Sequence, residues 1–517
     1  MRKPDTILAA LLCGALLCAL CACASSRDSA SAGKSAPDAG KDVPLPAPAE
    51  VLKAATRFYG AQRSGTLDNW LLAQYPEHLR VPCFDRDGEA LREGLDLSGG
   101  WHDAGDNVKF ALTTSWTVYA LLKSYEAFPM AHGDLYGSAG GVEGAEPDGI
   151  PDILNEARWG AEWLLKANVD STALVTQVGD GADHRNPGTC ATMSDLSPVS
   201  GGQPRTVWFG PSRDDPSEVK ADQLGIASAA LALAGQIFRP YDSAFAAECV
   251  ARAKRLYAAA LERPGSTKEP PGQSFYSDRT WDDDLLCGAA ELHRATKDES
   301  YLKEAVAASR RLGDHGWVTD WAMHADLCRH TLAQAGGEAR EEAVSSWGRA
   351  VDRYLKSVSD VKETEGLAYF GEWGSLRLAL NAAFSAALFS RTTGEKAPAE
   401  FAKRQWEWAL GRNPYRRSFV VGVGKNPPKS PHHKNAFGRD RWASPSDTSL
   451  YRLTGALVGG PHQREYKDPW MTSPPGYRDA MNDYVGNEVS IDYNAALVGA
   501  TAFVVDEELE SSAASGN

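Results

Sequence analysis

The chain has 517 residues, of which 43% are hydrophobic and 24% are charged, so its composition is that of an ordinary soluble globular protein. Its formal net charge of −14 at pH 7 argues against nucleic acid or an anionic membrane surface as a partner. This negative charge is compatible with a neutral ligand.

The first residues have the features of an export signal. Arg2 and Lys3 precede an apolar run over residues 7–22, which predicts a secretory signal peptide over residues 1–22. The run ends in Leu-Cys-Ala-Cys, which resembles a bacterial lipobox and would make Cys23 the lipidated first residue; an ordinary signal peptide cleaved nearby is the alternative. No other apolar run approaches the ~20 residues that cross a bilayer. The sequence therefore predicts an exported bacterial protein held at a membrane or cell surface by its lipid.

The rest of the chain divides by composition. Residues 23–48 are rich in Ser, Ala, Gly, Asp, Lys and Pro without apolar periodicity, which predicts a disordered tether. No such linker interrupts residues 49–507, so we expect one folded domain there. We also expect a flexible tail over residues 508–517 and a monomeric protein. The five cysteines after Cys23 form no CxxC pair, so they do not indicate a zinc site, and their pairing is left open.

Helical periodicity dominates the folded part. Most of the predicted segments are rich in Ala and Leu, with apolar residues at three- and four-residue steps. The twelve segments cover residues 48–63, 111–128, 151–168, 219–238, 241–261, 283–296, 299–312, 318–334, 340–356, 373–392, 398–411 and 488–507. Long Gly-, Pro- and Asp-rich loops separate them, and residues 418–423 are the best strand candidate. Paired helices with long loops predict a toroid of helical hairpins whose loops carry the function.

Two acidic clusters are the main functional candidates. Asp103 and Asp106 lie in a Gly-rich loop before the helix that starts near residue 111, where two acids three residues apart can share one water molecule. A capping loop or a calcium loop is the alternative interpretation. Glu488 heads the last predicted helix behind an aromatic loop, where nearby rings would keep it protonated. A helix-start Glu that favours the dipole is the alternative there.

Polar and aromatic loop residues are candidates for ligand contact. His184 and His432 lie in loops with Gly, Asp or Pro neighbours and could donate to hydroxyl groups, or they could simply be exposed histidines. A metal role is disfavoured because no helical His pair is present. Trp373 and Arg377 open a helix, where the Trp face could stack on a sugar ring or else belong to the core. Two acidic clusters among glycines and aromatic residues suit hydrolysis of a glycosidic bond.

Together these motifs resemble glycoside hydrolase family 9, the inverting cellulases. The resemblance runs from about residue 50 to 507, with the motifs in the family's order. It rests on residues 58–65, 96–110, 177–184, 373–377, 418–428 and 455–461, and on a C-terminal run with Tyr477, Asp479, Tyr484, Glu488, Ser490 and Asn494 at the family's positions.

The resemblance implies an all-α (α/α)6 barrel of about twelve helices. It also implies hydrolysis of β-1,4-glucosidic bonds with inversion, with Asp106 as the general base, Asp103 as its partner that holds the water, and Glu488 as the general acid. Residues at the family's substrate-contacting positions are His184, Trp373, Arg377, His432, Tyr493 and Asp479. The expected partner is a β-glucan polysaccharide or oligosaccharide.

The chain departs from the family pattern at several positions. Lys434 stands where the family has Arg, so a bidentate contact is lost unless Arg439 compensates. Residues 185–188 lack the Trp that often follows the motif His. Asp283 and Asp284 keep the acids of the family's calcium loop, but Arg279 and Thr280 precede them and Ala322 replaces a downstream Asp. We therefore predict no required cofactor, with Asp283 and Asp284 as the calcium ligands if that ion binds.

Two alternatives to a cellulase remain open. The chain could be a surface glycan-binding lipoprotein that keeps the barrel without turnover, or it could act by the same chemistry on xyloglucan, mixed-linkage glucan or glucomannan. For the hydrolase, we expect the base and acid carboxyl groups to lie about 6.5–9.5 Å apart, because a water molecule must fit between base and sugar.

Overall fold

The structure is a computed structural model that describes residues 40–65, 83–135, 146–170, 172–210, 218–278, 280–467 and 472–515. The predicted signal peptide, Cys23 and most of the predicted tether lie outside the described residues. Residues Asp38–Asn517 belong to one compact unit. No helix of the described residues is both long enough and apolar enough to cross a membrane.

The described residues form twelve long helices, one for each predicted segment. They are α1 (Pro48–Gln62), α2 (Ala111–Ala127), α3 (Asp152–Ala167), α4 (Ala221–Ile237), α5 (Ser243–Glu262), α6 (Asp282–Thr296), α7 (Glu299–Leu312), α8 (Ala325–Ala333), α9 (Gly337–Lys356), α10 (Ser375–Thr393), α11 (Lys396–Leu410) and α12 (Ile491–Ser515).

Six of these helices form a closed inner ring. The order around the ring is α2, α4, α6, α8, α10 and α12, and α12 closes it by packing on α2. The inner helices are buried on nearly every side; in α4 every residue from Ala221 to Gly235 is buried. The outer helices bury one face only, as in α7, where Ala305, Ala308 and Ser309 are the buried residues. Inner helices rich in Ala can approach closely, and the predicted (α/α)6 barrel is confirmed.

Some element boundaries differ from the prediction. α8 starts at Ala325 because residues 318–324 form an irregular segment with a bridge between Asp320 and Met323. The final helix extends to Ser515 instead of ending at 507. The predicted strand over residues 418–423 is wrong: its valines are buried, but the segment meets residues 455–458 only through an isolated bridge between Val420 and Leu457 and a few backbone hydrogen bonds, not as a strand of a sheet.

The start of the described chain also packs more tightly than its composition predicts. Val43, within the predicted tether, is 1% exposed, and Asp42 forms an ion pair with Arg416. Residues 40–47 therefore belong to the folded unit.

Short strands hold the loops at one end of the barrel. β1 (Lys109–Phe110), β2 (Gln177–Val178) and β3 (Val207–Trp208) form an antiparallel sheet, and β4 (Tyr466–Lys467) pairs with β5 (Thr472–Ser473). In the first sheet Lys109 pairs with Val178 and Phe110 with Gln177. This register places the loop before β1 beside the loop after β2.

Two disulfides link distant segments. Cys83 pairs with Cys190, and Cys287 on α6 pairs with Cys328 on α8. Cys249 is a buried free thiol.

Candidate active site

The first sheet brings Asp106 and His184 into contact. Asp106 follows Gly105 in the loop before β1, and His184 lies on a one-turn helix after β2 whose first turn is capped by Asp180. Nδ1 of His184 lies 2.5 Å from Oδ2 of Asp106, while Oδ1 of Asp106 accepts a hydrogen bond from the Val108 backbone N–H at 3.1 Å. The His184 side chain is half exposed and that of Asp106 is 13% exposed, so this pair faces the solvent side of the site.

The environment of Asp106 favours its ionised form. Burial alone would raise its pKa, but the hydrogen bond from His184 and the positive charges of His184 and Lys434 hold the pKa of this carboxyl well below its usual range. Burial would lower the pKa of His184, but Asp106 outweighs that effect and raises it. The geometry therefore favours an imidazolium that donates to a carboxylate.

Asp103 is held differently. It is 2% exposed, and its two carboxyl oxygens accept hydrogen bonds from the Thr113 hydroxyl on α2 and from the Tyr276 hydroxyl. Burial raises the pKa of Asp103 well above its usual range, although both hydroxyl donors oppose this shift. Asp103 and Asp106 thus differ in protonation tendency, and Asp106 is the carboxylate better suited to accept a proton.

Glu488 does not head the last helix as predicted. It ends a short helix, Tyr484–Asn487, whose first turn is capped by Asp483, and α12 begins only at Ile491. The dipole of α12 therefore does not explain its position. Glu488 is half-buried, and its Oε2 accepts a hydrogen bond of 2.7 Å from the Trp373 indole.

Glu488 has the electrostatics of an acid. Burial raises the pKa of Glu488 to about 7, and the negative charge of Asp106 acts in the same direction, while the hydrogen bond from Trp373 opposes the shift. A carboxyl group with this pKa is protonated in a large part of the molecules near neutral pH. Asp106 and Glu488 thus form a pair whose pKa values are pushed apart.

Backbone contacts join the two ends of the chain at this site. The Ile491 N–H donates to the Asp103 carbonyl at 2.9 Å, and the Lys434 N–H donates to the Gly105 carbonyl at 2.7 Å. His432 pairs with Glu488 in a parallel bridge. A Cβ on residue 105 would lie 2.1 Å from the His432 carbonyl oxygen, so only glycine fits there. The three predicted carboxylates therefore belong to one hydrogen-bonded cluster of loops.

The other predicted contact residues divide into two groups. Trp373 is 44% exposed, and its ring packs 5.3 Å from that of Tyr484, so it presents a face to solvent beside Glu488. His432 is half-buried and contacts the Met481 carbonyl through Nδ1 at 2.8 Å. Both side chains lie close enough to Glu488 to contact a ligand bound there.

Arg377, Tyr493 and Asp479 are mainly held by protein groups. Arg377 donates to Asp492 at 3.1 Å and is nearly buried. Tyr493 is 4% exposed and lies near the Arg377 guanidinium. Asp479 accepts the Lys429 and Ser430 backbone N–H groups. Each of the three is thus anchored by contacts to neighbouring protein groups, and their predicted contact with substrate stays a prediction.

With the site described, comparison with known proteins identifies the family. A sequence profile described as Glycosyl hydrolase family 9 matches residues 49–501. The chain belongs to glycosyl hydrolase family 9. The predicted enzyme class, a glycoside hydrolase of the endoglucanase type, is thereby confirmed.

Individual family 9 relatives agree with this assignment. Endoglucanase 4 of Bacillus sp. (strain KSM-522) is 33% identical over 489 residues, covering 88% of this chain and 68% of that protein. The endoglucanase from the termite Nasutitermes takasagoensis has a TM-score of 0.72 at 29% identity, covering 89% of this chain and 99% of that chain. The cellulase Cel9M of C. cellulolyticum in complex with cellobiose also has a TM-score of 0.72, at 28% identity, covering 89% and 99%. The chain spans about two thirds or less of the length of the first bacterial relatives that it matches.

Lys434, which departs from the family 9 pattern, is tied to the protein. Its side chain is buried, and its ammonium donates to the carbonyls of Asp183 and His184 at 3.0 and 2.9 Å. Its backbone N–H holds the Gly105 carbonyl. Lys434 therefore joins the loop of His184 to the loop of Asp106, and Arg439, which donates to the Phe437 and Thr448 carbonyls, does not take its place.

Sequence reasoning missed the aromatic wall beside the base. Tyr276 donates to Asp103, and its ring packs on Phe110 and Trp321 with centroids 4.9 and 4.8 Å away. Phe275 packs on the His184 ring at 5.0 Å. The adjacent Phe-Tyr pair in a Gly- and Pro-rich loop was the signal that could have identified this segment of the family 9 enzyme.

The family 9 resemblance also implied calcium at Asp283 and Asp284, which are buried in the first turn of α6. With His324 they form a buried group that could hold a metal ion. Nδ1 of His324 lies 3.4 Å from Oδ2 of Asp283 and 3.0 Å from Oδ1 of Asp284. This donor set does not fit calcium, which takes six to eight oxygen ligands, because an imidazole nitrogen faces the carboxylates and Ala322 offers no side-chain oxygen.

Proposed function

We propose that this protein is an endo-β-1,4-glucanase that hydrolyses cellulose or related β-glucans by single displacement with inversion at the anomeric carbon. The endo mode follows the names of its relatives, which are endoglucanases. The observation that carries the mechanism is the opposite pKa shift of two carboxyl groups in one cluster of loops, downward for Asp106 and upward to about 7 for Glu488.

Asp106 is the proposed general base. It accepts a proton from the water that attacks the anomeric carbon, and its ionised state is maintained by His184 and Lys434. Asp103 orients that water, while Thr113 and Tyr276 hold the Asp103 carboxyl rigidly in place. A base with a low pKa is weak, but it is ionised throughout the pH range between its own pKa and that of Glu488, in which Glu488 is still protonated.

Glu488 is the proposed general acid. Its carboxyl proton passes to the glycosidic oxygen as the bond to the anomeric carbon breaks, which leaves Glu488 ionised and the product hydroxyl neutral. The Trp373 indole hydrogen bond stabilises that ionised form. Water must fit between Asp106 and the sugar, so we expect the two carboxyl groups to lie about 6.5–9.5 Å apart.

The substrate contacts are proposed for the exposed part of the site. Trp373 offers a face for a pyranose ring, and His184 offers its Nε2–H to a hydroxyl. His432 offers Nε2 as an acceptor for a hydroxyl, because its Nδ1–H donates to the Met481 carbonyl and burial lowers the pKa of the ring to about 4. Cellobiose in complex with the related Cel9M supports a cello-oligosaccharide as the ligand. Xyloglucan, mixed-linkage glucan and glucomannan all contain β-1,4 bonds in their main chains and are the alternative substrates.

We also propose that the enzyme is exported and lipid-anchored through Cys23. The basic start, the apolar run and the lipobox-like Leu-Cys-Ala-Cys support this. Two disulfides in the folded unit are typical of an oxidising compartment. Mass spectrometry of the N-terminal peptide from membrane fractions tests it: a diacylglycerol-modified Cys23 is expected, and an unmodified cleaved terminus contradicts it.

The catalytic proposal is tested with soluble carboxymethyl cellulose. Asp106→Asn and Glu488→Gln are each expected to lower kcat by about 10²–10⁴-fold or more with unchanged circular dichroism, because each removes one proton-transfer step. Asp195→Asn, an exposed acid outside the site, is the matched control and keeps full activity. Near-wild-type turnover in either site variant would contradict the assignment of Asp106 as base and Glu488 as acid. Glucan binding by the wild type without release of reducing sugar would instead favour a non-catalytic glycan-binding protein.

A further inference from the structure

A second cluster of polar side chains lies between two inner helices, away from the three proposed catalytic carboxylates. Asp283 and Asp284 are in the first turn of α6, and His324 is the residue before α8. All three are 0% exposed. One ligand atom from each lies within 4.8 Å of the others.

Among the described residues, most side-chain polar atoms of the cluster lack the hydrogen bonds that buried polar groups normally have, although Oδ2 of Asp283 accepts one from the His324 backbone N–H at 2.8 Å. Within the described part of the chain, neither oxygen of Asp284 accepts a hydrogen bond, nor does Oδ1 of Asp283, and Nδ1 of His324 is also unsatisfied. Lysine and arginine side chains of the described residues form no ion pair with either carboxylate. Burying two carboxylates costs several kcal/mol per ion unless a cation compensates them.

We propose that Asp283, Asp284 and His324 bind a divalent transition metal of the zinc class. One imidazole nitrogen with two carboxylate oxygens suits zinc, iron, cobalt or nickel, whereas calcium prefers oxygen alone. A tetrahedral ion with ligands at about 2.0–2.1 Å has ligand atoms roughly 3.3 Å apart. His324 Nδ1 lies 3.4 Å from Oδ2 of Asp283 and 3.0 Å from Oδ1 of Asp284, and both distances are close to this ligand-to-ligand separation.

The position of the cluster indicates a structural role. It links the N-terminal ends of α6 and α8, and the disulfide between Cys287 and Cys328 joins the same helices one turn further along. The His324 ring also lies 5.1 Å from that of Trp116 on α2. A bound ion would therefore tie α6 to α8 and fix the His324 ring against Trp116 of α2.

The same ends of the helices support the proposed base side of the active site. Tyr276, which donates to Asp103, lies in the segment before α6, and it packs on Trp321, which precedes α8. Metal binding would restrain both segments. The ion is not needed for proton transfer, so its loss is expected to lower stability more than kcat.

The test uses the full chain without a polyhistidine tag, dialysed and analysed by inductively coupled plasma mass spectrometry. One zinc-class ion per chain is expected, and cobalt(II) as a probe is expected to give the visible absorption of a tetrahedral site. Asp284→Asn is expected to lose the ion. Asp282→Asn is the matched control, because Asp282 is the adjacent acid in the same turn but pairs with Arg311 outside the cluster.

A second measurement keeps the test decisive if Asp284→Asn fails to fold. Removal of the ion from the wild type with dipicolinate is expected to lower Tm by several degrees, and zinc but not calcium is expected to restore it. Wild-type protein that binds no transition metal, or that binds calcium in its place, overturns the proposal.

Discussion

Burial of Glu488 and the opposing hydrogen bond from Trp373 together set the pH range in which the proposed acid works. Glu488 acts while protonated, and its pKa is about 7. The value of kcat/KM is therefore expected to fall about tenfold per pH unit above neutrality. Asp106 sets no limit there, because its pKa lies below the usual carboxyl range and it stays ionised.

Replacing Trp373 by Phe is expected to move this alkaline limit to higher pH. The indole stabilises the ionised form of Glu488, so its loss raises the pKa of that carboxyl, by about one pH unit or less since Trp373 is partly exposed. The pH dependence of kcat/KM measures the shift. Trp317→Phe is the control: Trp317 is equally exposed but donates to Asp320, and its loss should leave the limit in place. A downward shift in Trp373→Phe would contradict the assignment.

At the residue scale, the three predicted catalytic residues could be named because their local sequence carries the signal. Asp103, Asp106 and Glu488 lie in dense motifs, and the structure brings their loops together. Tyr276 could not be found in the same way, because its partner Asp103 is 173 residues away and the contact depends on packing of two loops. His324 was missed for the same reason, since its carboxylate neighbours lie on another helix.

At the scale of elements, helix contacts depend on glycines in the inner ring. A Cβ at Gly499 on α12 would lie 2.4 Å from the ring of Phe384, a buried residue of α10. Gly499→Ala is expected to destabilise the protein by about 1–2 kcal/mol, because overpacking of about 1–3 kcal/mol exceeds the gain in helix propensity. Urea unfolding measures this change.

Gly348 on α9 provides the control for this substitution. It is also a mid-helix glycine, but its nearest neighbour would be Phe389 at 3.3 Å, so a methyl group needs only a small adjustment. Gly348→Ala is expected to be neutral or stabilising by up to about 1 kcal/mol. Equal destabilisation of both variants would show that close packing at Gly499 is not the cause.

The helices were predictable because twelve long segments repeat one pattern, and the two-residue strands were not. β1, β2 and β3 are too short for an alternating pattern, and their pairing depends on where the loops meet. Residues 418–423 were predicted to be a strand because valines buried in a loop and valines buried in a sheet give the same apolar sequence pattern. The prediction also ended the last helix too early, at residue 507, because the exposed residues from there to Ser515 have no apolar periodicity.

At the scale of the whole molecule, closure of the ring unites the chain ends. α12 packs against α1 and α2, the Tyr59 hydroxyl donates to the Ile491 carbonyl at 2.8 Å, and Asn494 donates to the Ala55 carbonyl at 3.2 Å. These contacts bring Glu488 to the loop of Asp106. The barrel is thus the reason that the proposed acid and the proposed base, which come from opposite ends of the sequence, lie in one cluster of loops.

The stereochemistry of hydrolysis tests this account most directly. Proton NMR of a cellooligosaccharide digest, recorded before mutarotation, reports which anomer is released first. A water molecule activated by Asp106 opposite Glu488 inverts the anomeric carbon, so the α-anomer is expected from a β-linked substrate. Initial release of the β-anomer would show retention, and with it a covalent intermediate that this arrangement of Asp106 and Glu488 does not provide.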